Sequence, residues 1–218
     1  MRTDMQKLIA FLFLLLPFTA SIAADVPDLP DVDMTPIKVS ERVWYVKGKA
    51  GTATENAGFV SNAGFVITGD GVVVFDGLGT PVLASMMLKE IRKLTQEPIR
   101  KVVVSHYHAD HVYGLQVFKN EGAEILAPGG AIDYLNSDSA SSRLEERRVS
   151  LAPWVDDDTK LVPPDRYLTE SEIFKMGEVE FTISILGSAH SEGDLTLFVE
   201  PDRVLFSGDV IFDGRVPW

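Results

Sequence analysis

The sequence predicts a layered α/β fold, and three features of its 218 residues carry that reading. Short β-branched and aromatic runs broken by glycine turns crowd the front of the chain, a stretch of helical period follows, and apolar strands then alternate with helical segments. With 45% hydrophobic and 24% charged residues, the chain has the balance of a globular protein able to bury one sizeable core.

The elements come in order. Residues 1–23 read as a signal peptide: Arg2 and Lys7 precede the apolar run Leu8 to Leu16, and Ser21 and Ala23 have the small-residue spacing of a cleavage site. The run is too short to span a bilayer comfortably. A periplasmic or secreted protein is therefore expected, with no stable membrane insertion after cleavage. Residues 24–36 alternate prolines and acids, which suits an extended leader, and the folded domain is expected over 37–218.

Inside that domain Val43–Val46, Ala63–Thr68 and Gly71–Phe75 read as consecutive strands. Asp70-Gly71 sits between the last two as a hairpin signal. Val82, Met86, Met87, Ile91 and Leu94 recur near helical spacing and predict an amphipathic helix over 82–94. Ile99–Ser105 and Glu124–Ala127 read as buried strands, 130–150 as largely helical, and the stretch around Trp154, Pro163 and Pro164 as a loop or lid. Strands are expected again at 180–186, 195–200 and 204–207.

Composition narrows the chemistry. A formal charge of −12 repels phosphate backbones, so no nucleic-acid partner is expected. The chain has no cysteine, which excludes a disulfide framework, a thiol nucleophile and a lipid-bearing thiol, and leaves nitrogen and oxygen as the only metal ligands. No Gly-x-Ser-x-Gly elbow occurs either.

Three of the four histidines fall within Ser105-His106-Tyr107-His108-Ala109-Asp110-His111, directly after an apolar strand. Side-chain direction repeats every two residues in a strand, so His106 and His108 project to the same side and can grip one ion. The chain then turns, and Asp110 and His111 can face a second ion or the water of the first. Such ligands suit Zn²⁺.

This run resembles the His-x-His-x-Asp-His signature of the metallo-β-lactamase superfamily. Two further sites match: Gly187 to Asp194, carrying His190, looks like the family's third-histidine turn, and Ser207-Gly208-Asp209 is similar to its bridging aspartate. The resemblance implies an αββα sandwich with two zinc ions, the first held by His106, His108 and His190 and the second by Asp110, His111 and Asp209. It also implies catalysis by a metal-bound hydroxide that Asp110 orients, cleaving an ester, thioester, lactam or related bond of a small-molecule substrate. Asp76, closing the strand before it, could orient a ligand or simply form a turn; Asp194 reads as a turn residue.

The family's dinuclear members add a later histidine, and none follows Asp209 here. The expectation is of a sandwich truncated in its C-terminal half. Export and the Gly-Ser-Ala-His turn also resemble the periplasmic zinc metallohydrolases of quinoprotein and sulfur-oxidation systems. Two alternatives stay open: an iron-dependent persulfide dioxygenase, which uses a similar ligand set with one iron, and a non-catalytic periplasmic metal-binding or partner-docking domain.

Overall fold

The structure, a computed structural model, describes residues 29–213, so the expected signal sequence lies outside the described residues. Ile37–Lys38 (β1), Val43–Val46 (β2), Ala63–Ile67 (β3) and Val72–Phe75 (β4) form an antiparallel meander. Pro81–Leu94 (α1) then crosses over to Ile99–Val103 (β5), which pairs parallel to β4. The chain continues through Ala109–Val112 (α2) and Leu115–Asn120 (α3) to Glu124–Pro128 (β6). From there Ala131–Leu135 (α4) and Asp138–Ser150 (α5) lead to Arg166–Leu168 (β7). These seven strands make one sheet in sequence order, parallel from β4 onward. Glu172–Met176 (β8), Val179–Gly187 (β9), Asp194–Glu200 (β10) and Val204–Phe206 (β11) form a second, antiparallel sheet.

Two cores hold the layers. Helix residues Leu83, Met87, Ile91, Leu115 and Phe118 pack on one face of the seven-stranded sheet, at Val74, Val102 and Ile125 among others. The opposite face, at Val66, Val73, Phe75 and Val103, packs on Phe181, Ile183, Leu195 and Leu197 of the smaller sheet. Alternation along each strand sends successive side chains to opposite cores, which is why β3, β4 and β5 are apolar at nearly every position. The described residues thus form three layers, α, β and β, of the expected four-layered sandwich.

Several expectations shift by small amounts. Helix α1 buries Leu83, Ala84, Met87 and Ile91, a stripe offset from the expected one, and Leu94 is exposed. The start is set by Thr80, whose hydroxyl accepts the Leu83 N–H at 3.1 Å, with Pro81 in the first turn. Burial of Leu83, Met87 and Ile91 contributes about 1.5–3 kcal/mol each. The leader is not merely extended, because Met34 joins the helix-side core and Pro30 is buried.

The expected loop or lid around Trp154, Pro163 and Pro164 is pinned. Leu151 and Val155 are buried, Arg148 donates to the carbonyls of Asp156 and Thr159, and Asp165 accepts the Ile125 N–H. Strands β7 and β8 are not among those the sequence predicts, because β7 is only three residues long and charged Glu172 and Lys175 interrupt the apolar residues of β8. Arg166 pairs with Glu172 across their junction, and only alternate positions of β8 turn inward.

Candidate metal centre

The site lies where the carboxyl ends of β4 and β5 meet the loops of the second sheet. A hydrogen bond from the Leu195 N–H to the Ser105 carbonyl, 3.0 Å, ties the two sheets at this point. His106 is the hub: its ring centroid stands 4.6 Å from His108, 4.3 Å from His111 and 4.9 Å from His190.

The buried histidines are oriented from behind by Asp76, which sits just past β4 with φ 65°, a left-handed conformation that costs energy in a non-glycine residue. Its Oδ1 accepts the Ser105 N–H at 2.7 Å, and its Oδ2 accepts the Ser105 hydroxyl at 2.9 Å. The same Oδ2 accepts from His111 Nδ1 at 2.9 Å. Since Ser105 donates its hydroxyl hydrogen to Asp76, its oxygen is left to accept from His106 Nδ1, 2.9 Å away. Both histidines therefore carry hydrogen on Nδ1 and turn Nε2 toward the site. Both Nε2 atoms are buried without a hydrogen-bond partner. Orphaned buried nitrogens of this kind call for a ligand, and a metal ion fits them.

Two groups of ligand atoms converge, each with its atoms within 4.8 Å of one another: His106, His108 and His190, and His106, His111 and Asp209. The first is the set the sequence implied. The second contains His106 where Asp110 was expected, because the His106 ring stands between the two groups. Asp110 is nonetheless adjacent, its Oδ2 3.4 Å from His111 Nε2. Asp209, in the turn after β11, reaches both groups, with Oδ1 3.4 Å from His111 Nε2 and Oδ2 3.7 Å from His190 Nε2. His190 Nε2 lies 3.1 Å from His108 Nδ1.

All six expected residues are thus brought together. Two supporting residues were not assigned from the sequence. Asp76 is the common anchor of Ser105 and His111. Asp194, read as a turn residue, is buried and accepts the N–H groups of Ala189, His190 and Ser191 at 2.8–3.0 Å, so it shapes the loop that presents His190. Gly208, φ 54°, completes the cradle: a Cβ there would stand 2.5 Å from that of Ser105, so only glycine lets the Asp209 turn approach.

Electrostatics divide the site. Burial holds His106 far below the ordinary histidine value, helped by the neighbouring histidines, and burial also lowers His108. Burial opposes a charge on His111 too, but Asp110 and Asp76 outweigh it and raise its pKa well above 6.5. Burial works against ionised Asp110 and Asp209, yet His111 outweighs it and both carboxyls are lowered.

Comparisons with known proteins identify the family. The family model described as "Metallo-beta-lactamase superfamily" matches residues 56–218. An acyl-coenzyme A thioesterase, MBLAC2 of Gallus gallus, is 32% identical over 119 residues, 52% of this chain and 42% of its own length. Metallo-beta-lactamase IND-1 of Chryseobacterium indologenes is 22% identical over 95% of this chain and 75% of its own. The chain spans about half the length of the curated thioesterases it matches. Among solved structures, a metallo-beta-lactamase from Pontibacter korlensis superposes with a TM-score of 0.61 at 18% identity, over 84% of this chain and 75% of its own.

Proposed function

On the premise that this chain belongs to the metallo-beta-lactamase superfamily, whose model matches residues 56–218, we propose that it is a zinc-dependent hydrolase of an acyl bond, a thioester, ester or lactam. One observation carries the reading: the buried, unpartnered Nε2 atoms of His106 and His111 converge with an aspartate, Asp209, that reaches both ligand groups. His106, His108 and His190 would hold one ion, and His111, Asp110 and Asp209 a second. When bound, zinc polarises the scissile carbonyl and brings the pKa of a water to about 7.

The chain's own residues do the rest. Ser105 fixes the tautomer of His106, so that its Nε2 presents a lone pair, and Asp76 holds His111 by Nδ1, so that its Nε2 faces the site and gives up its proton when an ion takes its place. Asp110, kept ionised by His111, accepts a hydrogen bond from the attacking water and aims it at the carbonyl carbon. Thioesters lead the substrate list because a relative described as a thioesterase aligns at 32% identity; lactams follow from the lactamase relative.

The test is metal analysis joined to turnover. Zinc-loaded protein should hydrolyse a simple thioester or a chromogenic lactam, lose the activity to a chelator and regain it with zinc. One tightly held iron and no zinc would favour the persulfide dioxygenase reading, and no turnover of any acyl substrate with both sites filled would defeat the hydrolase. We also propose export, on the charged start, apolar run and Ser21-x-Ala23 spacing. Among the described residues no helix is long and apolar enough to cross a membrane. Amino-terminal sequencing of the protein recovered from the periplasm should begin at Ala24; a chain still starting at Met1 would refute cleavage.

A further inference from the structure

Helix α5 turns a cationic stripe toward the metal centre. Ser139, Arg143 and Arg147 stand four residues apart and share one helix face. All three line a cavity of about 600 Å³ that also takes in His108, Asp110 and Asp209. The adjacent stripe, Ala140 and Leu144, is buried and anchors the helix on the fold.

The other arginine in this part of the helix shows what a structural role looks like. Arg148 donates to the Asp156 carbonyl at 2.9 Å and the Thr159 carbonyl at 3.0 Å, and pairs with Glu145. Arg143 and Arg147 instead share one carboxylate, Glu146, each at 3.6 Å, and Arg147 adds a 3.5 Å contact to Ser150 Oγ. Two guanidiniums facing one carboxylate leave a net positive charge at the cavity wall, on a chain whose formal charge is −12.

Resting on the hydrolase reading, we propose that Arg143 and Arg147 form a subsite for an anionic oxygen group on the substrate, a carboxylate, phosphate or sulfate, and so select anionic over neutral acyl compounds. Planar guanidinium forks match the oxygens of all three groups, and their charge-assisted hydrogen bonds are about twice as strong as neutral ones. The rest of this acidic surface repels anions, so the wall also steers such substrates into the cavity.

The experiment compares zinc-loaded wild type with the doubly substituted Arg143→Gln/Arg147→Gln and Arg143→Lys/Arg147→Lys proteins on two thioesters that differ only in tail, succinyl and butyryl. For the glutamine variant, KM of the succinyl compound should rise about ten- to a hundredfold, the size of one or two charge-assisted hydrogen bonds, with kcat and the butyryl kinetics unchanged. The lysine variant, keeping charge but losing the fork, should fall between.

Calorimetric titration of succinate, inorganic phosphate and sulfate onto chelator-treated protein supplies a readout independent of turnover. At least one anion should bind wild type and fail to bind the glutamine variant, and the tightest of the three identifies the group. Equal effects on both thioesters, or anion binding that ignores the substitutions, would overturn the subsite while leaving the hydrolase intact. Arginine-dependent anion binding in a protein that turns over neither thioester would uphold the subsite and remove thioesters from the substrate list. Both arginines lie on the helix surface, so the variants should keep wild-type circular dichroism and zinc content.

Discussion

The two ligand groups that meet at His106 are built on opposite electrostatics. One is made of imidazoles alone, and burial keeps His106 neutral far into the acid range and lowers His108 as well. The other surrounds one buried histidine with Asp110, Asp76 and Asp209, and in the metal-free protein these carboxylates keep a proton on His111. That proton occupies the role of a cation. The difference teaches that the first group is ready for an ion as folded, whereas the second must exchange a proton for one, so its affinity should depend more steeply on pH.

Asp76 touches His111 directly and His106 only through Ser105, whereas Asp194 holds the loop of His190, so removing each should weaken the two groups unequally. Asp76→Ala strands His111 and Ser105 without their acceptor and should cost about 3–5 kcal/mol of stability, the usual penalty for breaking a buried charged pair. Chelator competition should show the second ion lost before the first. Asp194→Ala leaves three loop N–H groups without an acceptor and should cost less, about 2–3 kcal/mol, because that loop is partly solvated. Here the first ion should weaken more. If both variants weakened the same ion, the division into two groups would be wrong.

The pH profile of metal-free stability sharpens the contrast further. His106 and His108 have folded values below 6.5, so the unfolded chain binds more protons beneath that pH, and stability falls as pH drops through 6.5. His111 has a folded value above 6.5, so its contribution is whole below 6.5 and is lost as pH rises through its raised value. Thermal unfolding in chelator should therefore show a maximum near pH 6.5, with the alkaline limb flattened once zinc replaces the His111 proton. A profile rising steadily into the alkaline range would remove the protonated His111. The smallest effect belongs to a helix cap that is not itself a ligand. Thr80→Ala removes the cap of α1 and should cost about 1 kcal/mol in thermal unfolding without changing the affinity for either ion.

Much of the centre was legible because its chemistry is packed into six residues after one strand, from His106 to His111. His190 and Asp209 are single residues in loops, and became readable only through the resemblance to known family motifs. Asp76 stayed undecided because its role is made by partners 29 and 35 residues away in sequence. Asp194 passed for a turn residue because the local bonds it accepts are those of a turn; only its burial shows that it holds the His190 loop. In the fold, apolar strands could be read but β7 and β8 could not, since ion pairs such as Arg166 with Glu172 mask their alternation. The stripe at Ser139, Arg143 and Arg147 was invisible for a similar reason. Charges at helical spacing ordinarily face water, and only the tertiary placement of α5 brings them to the cavity.

The central claim is that two distinct ligand groups sharing the His106 wall hold two ions. Anomalous diffraction at the zinc edge from crystals of the zinc-loaded protein tests it most directly. The account expects two peaks about 3.5–4 Å apart, the spacing of two-metal hydrolytic sites. One peak should lie about 2.0–2.1 Å from His106 Nε2, His108 Nδ1 and His190 Nε2, and the other at similar distance from His111 Nε2 and Asp209. A single peak on the three histidines, with His111 Nε2 still facing only carboxylates, would contradict it.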